Sequence, residues 1–340
     1  MPSSLPPIFE SLPEAERGKL RAAPPVAVEP MKAKLTDRVF SDPAWVFERK
    51  LDGIRATVRR DGDEIRLISR TGREISSSYP ELTEALAGER AGEFVADGEI
   101  VAFEGSRTSF ERLQGRMGIS DPRLARLSGI PVFLYLFDLT HLEGYDLTAL
   151  TLRSRKALLR AALSFEGPLG YAPHRDERGE ELFREACEQG WEGLIAKRAE
   201  SAYSGRRSGD WLKLKCSREQ ELVIGGYTPP KGSRRHFGAL LVGYYEGERL
   251  RYAGKVGTGF SAAELERLGA RMGLLEVAVP PFDREGRPGL PRDGRWVKPE
   301  LVGQFAFAEW TRDGKLRHPR YLGLRDDKRP REVMREEPDR

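Results

Sequence analysis

The sequence predicts a two-domain α+β protein, and three observations lead to this prediction. Its 340 residues are enough for two domains with substantial cores. Up to Cys216, apolar and alternating runs typical of strands are interleaved with helical segments. After Cys216, short strands with Gly-rich turns and a single helix indicate a small β-barrel. We therefore expect domains at residues 1–216 and 217–332, with an extended lead at 1–30 and a charged tail at 333–340.

Local signals justify the elements of the first domain. Asp61-Gly62 is a strong hairpin turn, and Pro80 in a first turn with Gly88 beyond the end marks a helix. The strands are predicted at 45–50, 54–60, 64–69, 94–103, 132–139, 193–197 and 211–215, and the helices at 80–87, 109–117, 154–163 and 180–189.

The second domain is predicted from similar signals. Its strands are expected at 222–227, 239–245, 250–256 and 305–311. One helix lies among them, because Ser261 followed by Glu264 is a capping-box pattern.

Composition indicates the class and compartment. With 39% hydrophobic and 32% charged residues, the chain resembles a globular protein in water. Its two cysteines form no CxxC pair, which argues against a disulfide framework or a zinc site, and Cys187 beside Leu182 and Ala186 is expected to be a buried thiol. The longest apolar run, 130–137, is too short to span a membrane, so we expect a cytoplasmic protein without membrane contact.

The charge is unevenly placed along the chain. Residues 217–340 carry 24 Lys+Arg and 19 Asp+Glu, whereas residues 1–216 carry 33 and 34. A basic C-terminal part suggests a polyanionic partner. Charge alone leaves open a solvated surface of mixed sign.

Lys50 is the candidate nucleophile of the chain. It stands in Glu48-Arg49-Lys50-Leu51-Asp52-Gly53, directly after an apolar run. A lysine amine loses its proton more readily when it is buried or lies beside other cations, and Arg55 supplies such a neighbour. An isolated K-x-D-G would more often be an exposed lysine before an Asp-Gly turn. The accompanying motifs favour the functional interpretation.

Six motifs occur in one order between residues 48 and 328. They resemble those of the covalent nucleotidyltransferases, namely ATP-dependent DNA ligases, RNA ligases and capping enzymes, and most closely the ligase module of bacterial end-joining ligases. The motifs are Lys50-Leu51-Asp52-Gly53, Asp97-Gly98-Glu99, Leu136-Phe137-Asp138-Leu139, Glu192-Gly193-Leu194-Ile195-Ala196-Lys197, Trp211-Leu212-Lys213-Leu214-Lys215 and Arg325-Asp326-Asp327-Lys328.

This resemblance implies a fold and a reaction. The fold would be a nucleotidyltransferase (adenylation) domain with antiparallel sheets and flanking helices, followed by an OB-fold barrel. The reaction would seal nicks that carry a 5′-phosphate and a 3′-hydroxyl. In three steps, AMP passes from ATP to the lysine, then to the 5′-phosphate, and is finally displaced by the 3′-hydroxyl. Such transfers need positioning and charge neutralisation more than acid–base chemistry.

The resemblance also implies a role for each motif residue. Lys50 would be the nucleophile, Glu48 would contact the adenine edge, and Phe137 would stack on the base. Glu99 and Glu192 are candidate ligands of Mg²⁺, for which Mn²⁺ can substitute, or contacts of the ribose. The remaining ATP or AMP contacts would be Arg55, Arg70, Lys197, Lys213, Lys215, Arg325, Asp327 and Lys328.

Partners follow from the same resemblance. The substrate would be nicked double-stranded DNA. Candidate DNA contacts come from the sequence itself: Arg112 and Arg116 share one face of a helix, and Lys255 lies in a tight Gly-rich turn. The second domain would close over ATP and swing away through a hinge near residues 216–220. We expect a monomer that associates with the nucleoid when acting, with a Ku-like end-binding protein and separate polymerase and nuclease modules as candidate partners.

Two alternatives stay open at this point. An RNA ligase or capping guanylyltransferase shares K-x-D-G and an OB-fold, but Glu48 and the C-terminal segments count against it. A non-catalytic DNA-binding descendant of ligases predicts the loss of at least one motif, whereas all six are present.

Overall fold

The computed structural model describes residues 5–230, 232, 235–283 and 289–337. The first four residues of the predicted lead and the last three of the tail lie outside this range. The chain divides into two compact units, one ending at Cys216 and the other spanning Ser217–Glu337.

The first unit is built from two large sheets, a separate two-stranded sheet, and helices. Its strands are β1 (Arg21–Ala22), β2 (Lys32–Leu35), β3 (Trp45–Arg49), β4 (Ile54–Asp61), β5 (Glu64–Ser69), β6 (Glu93–Val101), β7 (Phe103–Glu104), β8 (Arg107–Thr108), β9 (Phe133–Leu142), β10 (Tyr145–Asp146), β11 (Leu169–Tyr171), β12 (His174–Asp176), β13 (Gly193–Arg198) and β14 (Arg207–Lys215). Its helices are α1 (Glu14–Arg17), α2 (Pro80–Ala87), α3 (Phe110–Gln114), α4 (Pro122–Leu127), α5 (Leu152–Ala162) and α6 (Gly179–Glu188), with 3₁₀ turns at Pro7–Ser11 and Ser76–Ser78.

The order of strands brings the motifs onto facing elements. The larger sheet runs β1-β10-β9-β6-β4-β5, with β11 parallel to β9, and the smaller runs β12-β3-β13-β14-β2. Helix α5 packs against β9, and α6 packs against β13 and β3. A small cluster of Met31, Phe137, Ala172, Tyr203 and Trp211 combines side chains from both sheets.

Local chemistry explains why these elements form where they do. Gly62 has a φ of +60°, as the tight turn between β4 and β5 requires, and Pro80 opens α2. The Thr151 side chain caps α5 by accepting from the Ser154 amide. Gly193 has no substitute, because a Cβ there would lie 1.9 Å from the Leu214 carbonyl oxygen across the β13–β14 pair.

The second unit is mainly a six-stranded sheet. Its strands are β15 (Glu219–Tyr227), β16 (Leu240–Glu246), β17 (Arg249–Val256), β18 (Glu276–Val277), β19 (Arg295–Ala306), β20 (Glu309–Trp310), β21 (Leu316–Arg317) and β22 (Arg320–Leu324), with helix α7 at Ala262–Gly273 and a 3₁₀ turn at Pro330–Glu332. The sheet runs β17-β16-β15-β19-β18, with β22 on β19. The capping box of Ser261 and Glu264 is present at the start of α7. Within the described residues, no helix is long and apolar enough to cross a membrane.

Two predicted elements are wrong in position. The predicted strand at 305–311 is instead the end of β19, a break, and the separate β20. β19 begins earlier, at Arg295, and contains Pro299, which a strand tolerates only at an edge or irregularity. The β15–β19 ladder is irregular there, with its register shifting between Ile224 and Gly226. The predicted helix at 109–117 ends at Gln114.

The prediction of a buried Cys187 thiol is also wrong. Cys187 is exposed on α6 and forms a disulfide with Cys216. The interpretation failed because Cys187 directly follows the buried Ala186 but is rotated about 100° from it around the helix, onto an exposed position. Its partner is 29 residues away, at the end of β14.

Candidate active site

The K-x-D-G segment is fixed by its neighbours immediately after β3. The Lys50 amide donates to the Gly193 carbonyl at 2.9 Å. The Asp52 carboxylate accepts from the Phe110 amide at 3.2 Å, and Gly53 leaves no room for a Cβ, which would lie 2.1 Å from the Ile100 carbonyl oxygen. Asp52 and Gly53 therefore set the path of the backbone that presents Lys50.

The Lys50 ammonium is paired with the Glu192 carboxylate, 142 positions along the chain. The Lys50 side chain keeps 19% of its surface exposed and that of Glu192 keeps 10%. Glu192 immediately precedes β13, and its own carbonyl accepts from the Cys216 amide at 3.0 Å. Two residues that the motifs single out as nucleophile and metal ligand are thus in direct contact at an accessible position.

Glu48 lies two positions before Lys50 and is almost completely buried, with 3% exposure. Its Oε1 accepts from Lys156 Nζ at 2.6 Å, and its Oε2 lies 2.6 Å from Lys197 Nζ. The second contact is an ion pair without hydrogen-bond geometry. Burial alone would raise the pKa of the Glu48 carboxyl, but the two ammonium groups overcome it and hold this pKa below its ordinary value.

The two lysines of this cluster differ from each other. Burial, reinforced by the charge of Lys156, lowers the pKa of Lys197 to about 8 despite the attraction of Glu48. Burial also disfavours the charge of Lys156, but Glu48 outweighs it and raises the pKa of Lys156. Lys197 additionally lies 4.3 Å from the ring centroid of Phe137 and 4.2 Å from that of Trp211. Lys197 therefore gives up its proton more readily than Lys156.

Arg55 and Phe137 meet near the same cluster. Arg55 Nε donates to Asp97 Oδ1 at 2.6 Å, and its guanidinium carbon is 5.0 Å from the Phe137 centroid. The Tyr203 hydroxyl donates to Asp97 Oδ2 at 2.6 Å. Glu99 faces Arg55 across the β4–β6 ladder. The site thus combines an aromatic face, a guanidinium and carboxylates within a few strands.

The remaining predicted nucleotide contacts are half-buried or buried, and some of them form ion pairs. Lys213 and Lys215 are half-buried on β14, and Arg70 is half-buried after β5. In the second unit, Arg325 and Asp327 are buried and pair with each other at 2.9 Å, while Lys328 pairs with Glu221 at 2.9 Å. Their contacts to ATP stay predictions.

The three candidate DNA contacts differ in their exposure to solvent. Arg112 on α3 and Lys255 on β17 are exposed, and their roles stay predictions. The expected DNA contact of Arg116 is contradicted, because Arg116 is 1% exposed and donates to Glu81, the Ser78 carbonyl and the Ile130 carbonyl. It follows the end of α3 and connects internal segments of the first unit.

Sequence reasoning missed Lys156, Asp97 and Tyr203 as members of the site. A signal for Lys156 existed: Leu152, Lys156 and Leu159 lie on one face of α5, so a charge falls on an apolar face. A charge in such a position usually has a buried partner. Nothing local identifies that partner as Glu48, which lies 108 residues earlier.

The residues of the site could hold a metal ion only through few protein ligands. Within the described range, no group of three or more His, Cys, Asp or Glu is arranged to hold a metal ion. A Mg²⁺ ion needs only one or two carboxylates when substrate phosphates and water complete its shell. Glu192, half-buried and next to Lys50, fits that requirement.

The fold and the lysine site define a covalent nucleotidyltransferase, and comparison with known proteins identifies the family. Residues 30–215 match the ATP dependent DNA ligase domain, and residues 233–328 match the ATP dependent DNA ligase C terminal region. The chain belongs to the ATP-dependent DNA ligase family. Its second unit, with its six-stranded sheet, is consistent with the OB-fold.

The names of individual relatives are consistent with this family assignment. The multifunctional non-homologous end joining protein LigD of Pseudomonas aeruginosa is 40% identical over 332 residues, which is 95% of this chain and 39% of that protein. A DNA ligase of Thermococcus fumicolans is 32% identical over 84% of this chain and 53% of its own length. The structure of mycobacterial DNA ligase D complexed with ATP and MES has a TM-score of 0.64 at 35% identity, covering 91% of this chain and 98% of that one. The chain spans about two fifths of the end-joining relative.

Proposed function

We propose that this chain is an ATP-dependent DNA ligase that seals nicks through a lysine–AMP intermediate and acts in non-homologous end joining. In this proposal residues 1–216 form the adenylation domain and residues 217–332 the OB-fold domain. The observation that carries it is the contact between Lys50 and Glu192 beside the Glu48 cluster, in a chain of this family. ATP in the related ligase D structure supports the choice of nucleotide.

The geometry suggests how Lys50 becomes a nucleophile. Its ammonium is held by Glu192, so the amine must leave this carboxylate before it can attack. Once Glu192 turns to another partner, the Lys50 amine is free to approach the phosphate. The ammonium first loses one proton to water. The neutral amine nitrogen then bonds to the α-phosphorus while the bond from phosphorus to the pyrophosphate oxygen breaks, and the nitrogen gives up a second proton to water. Mg²⁺ held through Glu192, with Glu99 as a second candidate ligand, would neutralise phosphate charge.

The buried cluster would recognise the base. Glu48 stays ionised because two ammonium groups surround it, and an ionised carboxylate accepts a hydrogen bond from the exocyclic amine of adenine. Phe137 would stack on the base, with a strength of about 1–3 kcal/mol. Arg55, Arg70, Lys197, Lys213, Lys215, Arg325, Asp327 and Lys328 remain the proposed nucleotide contacts.

The proposed partners are nicked double-stranded DNA, with Arg112 and Lys255 as contacts, and a Ku-like end-binding protein. The names of the end-joining relatives support this setting. The DNA ligase family matched by both halves favours DNA over the RNA-ligase and capping alternatives.

The test is the covalent intermediate itself. Wild-type protein incubated with ATP and Mg²⁺ should gain one AMP by mass spectrometry, and Lys50→Ala should gain none. Lys50→Arg is the matched control, because it keeps the charge that faces Glu192 and so preserves the fold. We expect no adduct on Lys50→Arg either, since a guanidinium stays protonated.

An AMP adduct on either variant at wild-type yield would remove Lys50 from the chemistry. Sealing assays on nicked DNA and nicked RNA, with and without Ku, then test the substrate. Sealing of RNA alone would contradict the DNA ligase assignment.

A further inference from the structure

The two cysteines of the chain are joined in a position that the proposed ligase chemistry does not use. Cys187 lies in the last turn of α6, and Cys216 directly follows β14, with 5.3 Å between their Cα atoms. They are the only cysteines of the 340 residues. The disulfide therefore has no competing partner within the chain.

The disulfide encloses the segment that holds the nucleophile. The loop between the two cysteines contains the fourth and fifth motifs, and Glu192 comes five residues after Cys187. The Cys216 amide donates to the Glu192 carbonyl at 3.0 Å, and the Glu192 side chain holds Lys50. One backbone hydrogen bond thus separates the crosslinked residue from the carboxylate that contacts Lys50.

The short segment before Glu192 is packed at one end, where Trp191 lies against the cluster of Leu182, Ala186, Leu194 and Leu214. Residues 188–190 are exposed. The Gly190 amide donates to the Cys187 carbonyl at 3.1 Å, the Trp191 amide donates to the Ala186 carbonyl at 2.9 Å, and Arg49 lies over the Trp191 ring. An exposed turn such as residues 188–190 opens at lower free energy than a packed core. A covalent bond at its edge therefore has more influence here than it would inside a core.

The disulfide is also accessible to reductants. Cys187 is exposed and Cys216 is half-buried. Disulfides are rare in the reducing cytoplasm, and those that occur there are usually transient or redox-sensing. A thiolate can attack an exposed disulfide sulfur directly.

We propose that Cys187–Cys216 is a reversible redox modification site that sets the rate of AMP transfer to Lys50. The oxidised form restrains the Glu192 segment, and the reduced form releases it. The effect on rate rests on the proposed ligase function, whereas the crosslink itself does not.

The reaction is thiol–disulfide exchange with a small thiol or dithiol reductant. Its thiolate bonds to the Cys187 sulfur, the disulfide bond breaks, and Cys216 leaves and takes up a proton. A second thiol displaces the first from Cys187, which also takes up a proton. The two cysteine sulfurs gain two electrons and two protons, and the reductant becomes a disulfide.

The experiment compares oxidised and reduced forms of the whole chain. Protein treated with oxidised glutathione should show no maleimide-reactive thiol, and protein treated with dithiothreitol should show two. Reduction should lower the first thermal transition by about 5 °C, because the crosslink no longer restricts the unfolded chain. It should slow lysine–AMP formation about fivefold, because the Glu192 segment is less well positioned. Renewed oxidation should restore both values.

The matched control is the double variant Cys187→Ser/Cys216→Ser. It should behave like the reduced protein and should not respond to either reagent. Two reactive thiols in oxidised wild-type protein would overturn the crosslink. A disulfide that shifts the melting transition but leaves the adenylation rate unchanged would overturn the switch and leave a structural bond. Absence of adduct in both forms would defeat the ligase proposal and the rate effect together, while thiol counts and melting would still decide the crosslink.

Discussion

Glu48 and Lys50 stand two positions apart in the chain, yet the structure treats their charges in opposite ways. Glu48 is buried and held between Lys156 and Lys197 at 2.6 Å each. Lys50 is partly exposed and has Glu192 as its ion-pair partner. Removing a charge from water is costly unless partners surround it, so Glu48 has one well-defined environment. Lys50 keeps 19% of its side chain exposed, so water and other groups can reach it and it can exchange its partner.

The difference separates two tasks of a nucleotide-transferring site. Recognition of a base benefits from a rigid, fully paired carboxylate, because a preorganised group needs no rearrangement when the ligand binds. Attack on phosphorus needs a lysine that can lose its ion-pair partner and its proton. One short segment serves both tasks because burial changes sharply from Glu48 to Lys50.

Breaking the buried cluster should have the largest energetic effect. Lys156→Met keeps the length of the side chain and removes the ammonium that holds Glu48 Oε1. Leaving a buried carboxylate with a single partner should destabilise the first unit by about 3 kcal/mol. Chemical denaturation followed by circular dichroism measures this change. The apparent KM for ATP should rise as well, since Glu48 loses its fixed orientation.

Lys19→Met is the matched control for that variant. Lys19 forms an ion pair with Glu16 in the same unit, but 42% of its side chain is exposed. Glu16 itself keeps only 9% side-chain exposure, but water reaches the Lys19 side chain and the Thr151 amide still donates to Glu16 in the variant, so this loss should be about 1 kcal/mol. If Lys156→Met and Lys19→Met lowered the free energy of unfolding equally, burial would not explain why the Glu48 cluster matters more than an ordinary ion pair.

Breaking the accessible pair should affect the reaction and spare the fold. Glu192→Gln keeps the shape of the side chain but removes the charge that holds Lys50 and that would bind Mg²⁺. We expect adenylation to fall about 10²-fold, or about 2.7 kcal/mol in activation free energy, with a weaker response to Mg²⁺. Adenylation rates over a Mg²⁺ titration, with circular dichroism as a check on folding, measure this.

The exposed Glu188, in the same helix-to-strand region, provides the control Glu188→Gln. It should keep both the wild-type rate and the wild-type Mg²⁺ response. If Glu192→Gln behaved like this control, Glu192 would have no part in the site.

The sequence motifs identified both members of the accessible Lys50–Glu192 pair. In the buried cluster they identified Glu48 and Lys197 but not Lys156. Lys50, Glu192 and Glu48 carry short motif signatures that are readable from the chain. Lys156 has no such signature, and its contact with Glu48 spans 108 residues, so only the folded structure reveals it. Local signals worked where local chemistry decides, as in the hairpin through Gly62 and the cap at Ser261.

The failures of prediction share one physical cause. Cys187 and Arg116 were judged from their sequence neighbours, but their environments are set by distant segments: β14 for Cys187, and α2 with its preceding turn for Arg116. The first part of β19, with Pro299, is held in an irregular ladder with β15, far earlier in the chain. Periodicity reports which face is buried, and it does not report which partner lies there.

The prediction with the smallest expected effect concerns a second accessible lysine–carboxylate pair. It tests whether the lysine of such a pair acts in the reaction as Lys50 does. Lys328 pairs with Glu221 in the second unit, with 14% and 20% side-chain exposure, close to the values for Lys50 and Glu192. The sixth motif implies that Lys328 orients the pyrophosphate only while ATP reacts, and phosphoryl transfer depends mainly on positioning. Lys328→Met should therefore slow lysine–AMP formation about tenfold. Pre-adenylated nicks already carry AMP on the 5′-phosphate, so their sealing should stay near the wild-type rate.

The exposed Lys298 offers a control in the same unit, and Lys298→Met should alter neither rate. If sealing of pre-adenylated nicks fell as far as adenylation, Lys328 would act in every step or in the fold. The exposure of a lysine–carboxylate pair would then not indicate in which step of the reaction the lysine acts.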